Sequence, residues 1–147
     1  MALEPNRMRL EIRAFPENVG VARVALAAFA AQGDFTLTEI EEIKVAVSEA
    51  VSNAVLHAYP GSEGDVLVTA SLEEGLLHVV IRDRGRGIAD IAQARQPSFS
   101  TEPGRMGLGF VFMESFMDQV EVSSTPGQGT QVTMTRKAEK AGREQAS

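Results

Sequence analysis

Glu49, Asn53 and His57 follow one another at intervals of four residues, with Ser48 and Ser52 beside them. On a helix, that interval sets three polar side chains along one line of its surface. An amide oxygen at Asn53 is a neutral, hard donor suited to Mg2+, and a carboxylate one turn earlier, at Glu49, can take a proton from a hydroxyl or a water. One helix face would then present metal and base together. The same spacing is also that of the solvated side of an ordinary amphipathic helix.

Three glycine-containing segments follow. Asp83-Arg84-Gly85-Arg86-Gly87-Ile88 comes directly after an apolar run; an ionised Asp at the floor of a pocket can accept from an exocyclic amine such as adenine's, and the glycines let backbone approach a ligand. The segment also reads as a plain turn. Gly104-Arg105-Met106-Gly107-Leu108-Gly109-Phe110 precedes a predicted helix, where backbone N–H groups and the helix dipole suit phosphates and Arg105 adds a phosphate-directed charge. It is neither a Walker loop nor a Rossmann turn. Gly127-Gln128-Gly129-Thr130 by itself reads as a hairpin turn.

Elements that could position these groups are legible in the pattern. Met8 to Phe15 alternates apolar and charged residues, as a half-buried strand does, and an alanine-rich helix opens at Pro16 and stops at Gln32-Gly33. Thr36 or Thr38 can cap a second helix running to about Ala58, whose stripe Ile40, Ile43, Val47, Val51, Ala54 and Val55 is that of a helix laid on a sheet. Strands around Val66–Ala70 and Leu77–Ile81 flank the turn Glu73-Glu74-Gly75, and a turn-rich stretch from Arg84 to Gly109 is long enough for a lid. A short helix from about Leu108 to Phe116 and strands near Gln119–Ser124 and Thr130–Thr135 complete the outline, with a solvated tail after Lys137. The expectation is an α+β fold: one domain over 1–147 with its core at about 8–136, a mixed, mostly antiparallel sheet covered on one face by about three helices.

Composition narrows the chemistry. The chain has 147 residues, of which 44% are hydrophobic and 23% charged, so a single folded domain is expected. A formal net charge of -6 argues against a nucleic-acid footprint. The absence of cysteine removes disulfides and thiolate metal sites, leaving an oxygen-liganded ion as the metal to expect. Without a membrane-crossing stretch or a signal peptide pattern, the expected location is the cytoplasm, with no membrane partner.

Taken in order, ExxxNAxxHAY (Glu49 to Tyr59), DxGxG, GxGLG and GxGT resemble the GHKL family of ATPases and kinases, and the segment from Arg95 through Val122 resembles its bacterial anti-sigma factor kinases, the sporulation type in particular. The resemblance covers about Met8 to Arg136. It implies a two-layer α/β sandwich with a glycine-rich ATP lid and the cofactors ATP and Mg2+. It also implies Glu49 as general base, Asn53 as Mg2+ ligand, Asp83 as the adenine contact and Thr130 close to that contact. Gly85, Gly87, Gly107, Leu108 and Gly109 would line the nucleotide pocket, with Arg105 near the terminal phosphate. The implied partners are a sigma factor of the sporulation sigma F type, an anti-anti-sigma factor phosphorylated on serine, and a second copy of the chain. The first strand and first helix are the expected dimer contacts, and Arg23, amid small residues on that helix, is a candidate partner anchor. A general-stress type of anti-sigma kinase, or a nucleotide-binding module without kinase activity, stands as the alternative. His57 carries no assigned role.

Overall fold

Alternation in NRMRLEIR builds β1 (Asn6–Arg13): Ile12 is buried, Met8 and Leu10 are half-buried, and the arginines and Glu11 point outward. The strand ends before Phe15 because Pro16 has no N–H to offer a ladder and opens a short 3-10 turn over Pro16–Asn18. In a computed structural model that describes residues 4–94 and 106–139, α1 (Val19–Ala30) follows this turn, and α2 (Leu37–His57) starts from a reciprocal cap. There Thr36 Oγ1 accepts from the Glu39 N–H at 3.1 Å while the Glu39 carboxylate accepts from the Thr36 N–H at 2.8 Å.

β2 (Asp65–Glu73) and β3 (Leu76–Asp83) form a hairpin whose two linking residues, Glu74 and Gly75, both have positive φ, the turn that matches strand twist. α3 (Ile91–Ala94), α4 (Met106–Phe116), β4 (Gln119–Thr125) and β5 (Gly129–Lys137) complete the chain. The fourth helix begins two residues ahead of its expected start.

Strand order is β1-β2-β3-β5-β4, and all four pairings are antiparallel. The expected mixture with parallel pairs is corrected by topology. The α3–α4 crossover brings β4 back in the direction of β3, but β5 is laid between them, so the two parallel strands never share a ladder. Helices α1, α2 and α4 pack together, and Leu26, Ile43, Val47, Val51, Val66, Val79, Phe110 and Met134 make the core. The outward rows of the sheet carry polar residues such as Arg9, Thr69 and Glu121.

Arg136 ties the far end together. Its guanidinium donates to the Phe116 carbonyl at the end of α4 and stands 3.4 Å from Glu42 and 3.5 Å from Glu39. Glu39 also accepts from the Glu139 N–H at 3.2 Å, and Ala138, buried, donates to the Gly75 carbonyl at 2.9 Å. The tail expected to be solvated after Lys137 is thus held for two further residues. Among the described residues no helix is long and apolar enough to cross a membrane.

Candidate functional site

A cavity of about 370 Å³ opens between α2 and the turns that follow β3 and β4. Its walls include Asn53, Ala54 and His57 from α2, Ile81 and Asp83 from β3, Gly87, Ile88 and Asp90 from the turn beyond, Phe110 from α4, and Thr130 and Val132 from β5. The wall is apolar with a few placed polar groups, the usual make-up of a small-molecule site.

Asp83 is 7% exposed. Its Oδ1 accepts from the Gly85 N–H at 2.9 Å and the Thr130 N–H at 3.2 Å, and no hydrogen bond among the described residues engages its Oδ2. Burial pushes this carboxyl above its ordinary value, against the two backbone donors. The Thr130 hydroxyl is 2.9 Å from Ser124 Oγ, which also accepts from the Ile88 N–H at 2.7 Å and donates to the Gly129 carbonyl at 3.0 Å. Asp83 is therefore tied to Thr130 through backbone, and Thr130 is in turn tied to the turn after β3 through Ser124, a residue that no sequence motif flags.

The glycines explain how the turn after β3 is seated. A Cβ at Gly85 would stand 2.0 Å from the Ala58 carbonyl oxygen, and one at Gly129 would stand 2.2 Å from that of Asp83. Gly87, at φ +75, lets its backbone pass the Thr125 carbonyl. Of the glycines in the two motifs, Gly87 borders the cavity, while Gly85 is packed behind Asp83 against the end of α2. Tyr59, the last letter of the helical motif, braces the same turn: its hydroxyl donates to the Asp65 carbonyl at 2.7 Å and accepts from the Arg84 N–H at 2.8 Å.

Glu49 and Asn53 meet at Gly109, at the close of the first turn of α4. A Cβ there would lie 3.0 Å from Glu49 Oε2, 3.4 Å from Asn53 Nδ2 and 3.5 Å from Asn53 Oδ1. Among the described residues the buried Asn53 Nδ2 finds no acceptor, and since Asn53 borders the cavity its NH2 group is one that a bound ligand could satisfy. Among the described residues no group of three acidic or histidine side chains gathers as a metal cage. A single amide oxygen nonetheless fits Mg2+, an ion that keeps several waters and takes its other ligands from substrate phosphates.

Leu108 is 37% exposed at the start of α4, and Gly107 lies in the same turn. Arg105 and the lid from Phe99 onward lie outside the described residues. Arg23 is exposed on α1, away from the cavity, with Val21 and Val24 exposed beside it. His57 is buried at the cavity wall, and its Nε2 has no hydrogen-bond partner among the described residues. Burial and then the nearby Arg86 charge hold its imidazole below the ordinary value, favouring the neutral ring.

Comparison with known proteins adds a family to this geometry. The model of the histidine kinase-like ATPase domain matches residues 12–136. The anti-sigma F factor of Pasteuria penetrans is 50% identical over 139 residues, 92% of this chain and 93% of its own. That of Bacillus subtilis is 45% identical over 139 residues, 92% of this chain and 95% of its own. A crystal structure of the RsbU and RsbW domains of a Mycobacterium tuberculosis protein superimposes with a TM-score of 0.66 at 23% identity, over 90% of this chain and 32% of that one, and shows the shared fold.

Proposed function

This chain belongs to the histidine kinase-like ATPases and, among them, to the anti-sigma F factor family, and from that premise we propose that it is an ATP-dependent protein serine kinase that also binds and inhibits a sigma factor. The observation that carries the reading is the cavity itself, which Asn53 and Asp83 both line, while Glu49 stands next to Asn53 at Gly109 and Asp83 keeps one carboxylate oxygen unengaged among the described residues.

In this reading Asp83 Oδ2 accepts from the exocyclic amine of adenine, with the apolar walls of Ala54, Ile81 and Val132 around the purine. Asn53 is the residue to hold Mg2+, which when bound neutralises phosphate charge. Gly107, Leu108 and Gly109 offer backbone N–H groups at the start of α4, and Arg105 adds a cation. Glu49 accepts the proton of an incoming serine hydroxyl. The serine oxygen then bonds to the γ-phosphorus while the bond from that phosphorus to the ADP oxygen breaks, and ADP leaves with the electron pair. Little else is asked of the protein, since phosphoryl transfer depends mainly on positioning and electrostatics.

The serine belongs to an anti-anti-sigma factor, which phosphorylation inactivates, and the sigma factor held is of the sporulation sigma F type. The chain acts as a homodimer through β1 and α1, and the exposed Val21, Arg23 and Val24 on α1 offer an apolar surface with a cationic anchor for a partner. A nucleotide-gated binding module that transfers no phosphoryl group is the second reading, and a general-stress partner set is its close relative; both keep the same cavity. The deciding experiment mixes the protein with γ-labelled ATP, Mg2+ and a candidate anti-anti-sigma factor. Label on serine, lowered about 10²-fold or more by Glu49→Gln while ATP affinity persists, is the expected result. Undiminished transfer by that variant removes Glu49 from the chemistry.

A further inference from the structure

Four polar side chains at the cavity wall have no part in that mechanism: His57, Arg86, Asp90 and Gln93. Arg86 stands at the variable position between the two glycines of its motif, so the motif pattern says nothing about it. Its backbone is held on both sides, the N–H donating to the Ala58 carbonyl at 2.7 Å and the carbonyl accepting from the Gly127 N–H at 2.7 Å. Its guanidinium, by contrast, is exposed and makes no hydrogen bond or ion pair among the described residues. An arginine on a fixed backbone, bordering a cavity and with its donors unused, is a binding group awaiting an anion.

Charge around the cavity sharpens the point. Asp83 and Asp90 both line it, and Arg86 is the arginine or lysine that does so among the described residues. Such a wall works against a polyphosphate, and Arg86 is the charge on the wall itself that offsets it. A cation here does most for the charged part of the ligand, since the purine already has Asp83 and the apolar walls.

We propose that Arg86 is a nucleotide-binding residue whose guanidinium pairs with the phosphates of the bound nucleotide and offsets the carboxylates of Asp83 and Asp90. The proposal rests on the kinase reading above for the identity of the ligand. Its test is calorimetric titration of the full chain, wild type, Arg86→Gln and Arg86→Lys, with ADP and with adenosine at two salt concentrations. Arg86→Gln is expected to weaken ADP about 5- to 20-fold and to flatten its salt dependence, while adenosine changes less than about twofold. Arg86→Lys, which keeps the charge and loses the fork, should recover part of the loss. ADP affinity of Arg86→Gln within about twofold of wild type overturns the proposal, as does an equal loss for ADP and adenosine, which would put the guanidinium on the purine. A wild-type chain that binds no ADP at all overturns the kinase reading instead.

Discussion

Replacing Asp83 by Asn tests the adenine contact with little disturbance of shape. Oδ1 of Asp83 accepts from the N–H groups of Gly85 and Thr130 at 2.9 and 3.2 Å. An Asn side chain can keep both bonds with its carbonyl oxygen, which puts its NH2 group where Oδ2 now stands. The purine amine then meets a donor in place of an ionised acceptor. A hydrogen bond to a charged group contributes about 1.5–3 kcal/mol, so ADP affinity should fall about 10- to 150-fold. The fold should be nearly indifferent: burial already disfavours the charge at this position, so weaker acceptance from two backbone donors is offset by removing a buried anion. GDP serves as the internal control, because guanine presents a carbonyl at the same place and can accept from the new NH2; the preference for ADP over GDP should narrow or reverse. Calorimetry with both nucleotides and a thermal melt of the free protein read all of this. Protonation imitates the substitution, so wild-type ADP affinity should fall as pH is lowered through the raised Asp83 value, at a higher pH than an ordinary carboxylate would give. Unchanged ADP affinity together with unchanged preference refutes the assignment.

Gly109→Ala should lower phosphoryl transfer about tenfold or more with a smaller loss of ADP affinity, because the new methyl sits 3.0 Å from Glu49 Oε2 and must displace the base or Asn53; kinase assay and titration on one preparation decide, and intact transfer refutes the convergence. Glu39→Gln bears on stability alone. Burial pulls the Glu39 carboxyl upward, but the Thr36 and Glu139 N–H groups and Arg136 together lower it. Its stabilising contribution is therefore present above the unfolded value of 4.5 and is lost as pH falls through the lower folded value. At pH 7 denaturant unfolding should show a loss of about 1–3 kcal/mol, and the difference from wild type should shrink below pH 4.5. A pH-independent difference would mean that the charge contributes nothing.

Much of the fold was legible because period and punctuation agree with it. The alternation of β1, the stripe of α2 and the turn at Glu74-Gly75 are local facts about local residues, and the structure keeps each of them within a few positions. Strand order was not legible, since nothing local to β5 says that it slides between β3 and β4. The Arg136 network was missed for the same reason: Glu39, Glu42, Phe116 and Arg136 come together only after the sheet has formed, and in sequence they look like ordinary surface charges and a helix end. At the site, spacing on one helix was enough to put Glu49 and Asn53 side by side. The reason for Gly85 and Gly129 was hidden, because the backbone atoms they admit belong to other segments. Arg86 drew no reading of its own between the glycines, because its place at the cavity border depends on α2 and the turn after β4, which are remote in sequence.

The turn from Asp83 to Gly87 separates architecture from tuning. Gly85 and Gly87, with Gly129 opposite, touch other backbone so closely that any side chain there would force the chain apart. Arg84 and Arg86, the residues between, are exposed, Arg86 at the border of the cavity, and fill no space that the fold requires. Mutational tolerance along this stretch should alternate residue by residue, with forbidden positions acting as a frame for permissive ones. Evolution or an engineer can thus change the charge presented to a ligand at residue 86 without renegotiating the packing of the sheet against α2. Nucleotide affinity becomes a quantity adjustable by a single codon, in a segment whose shape is otherwise closed to revision.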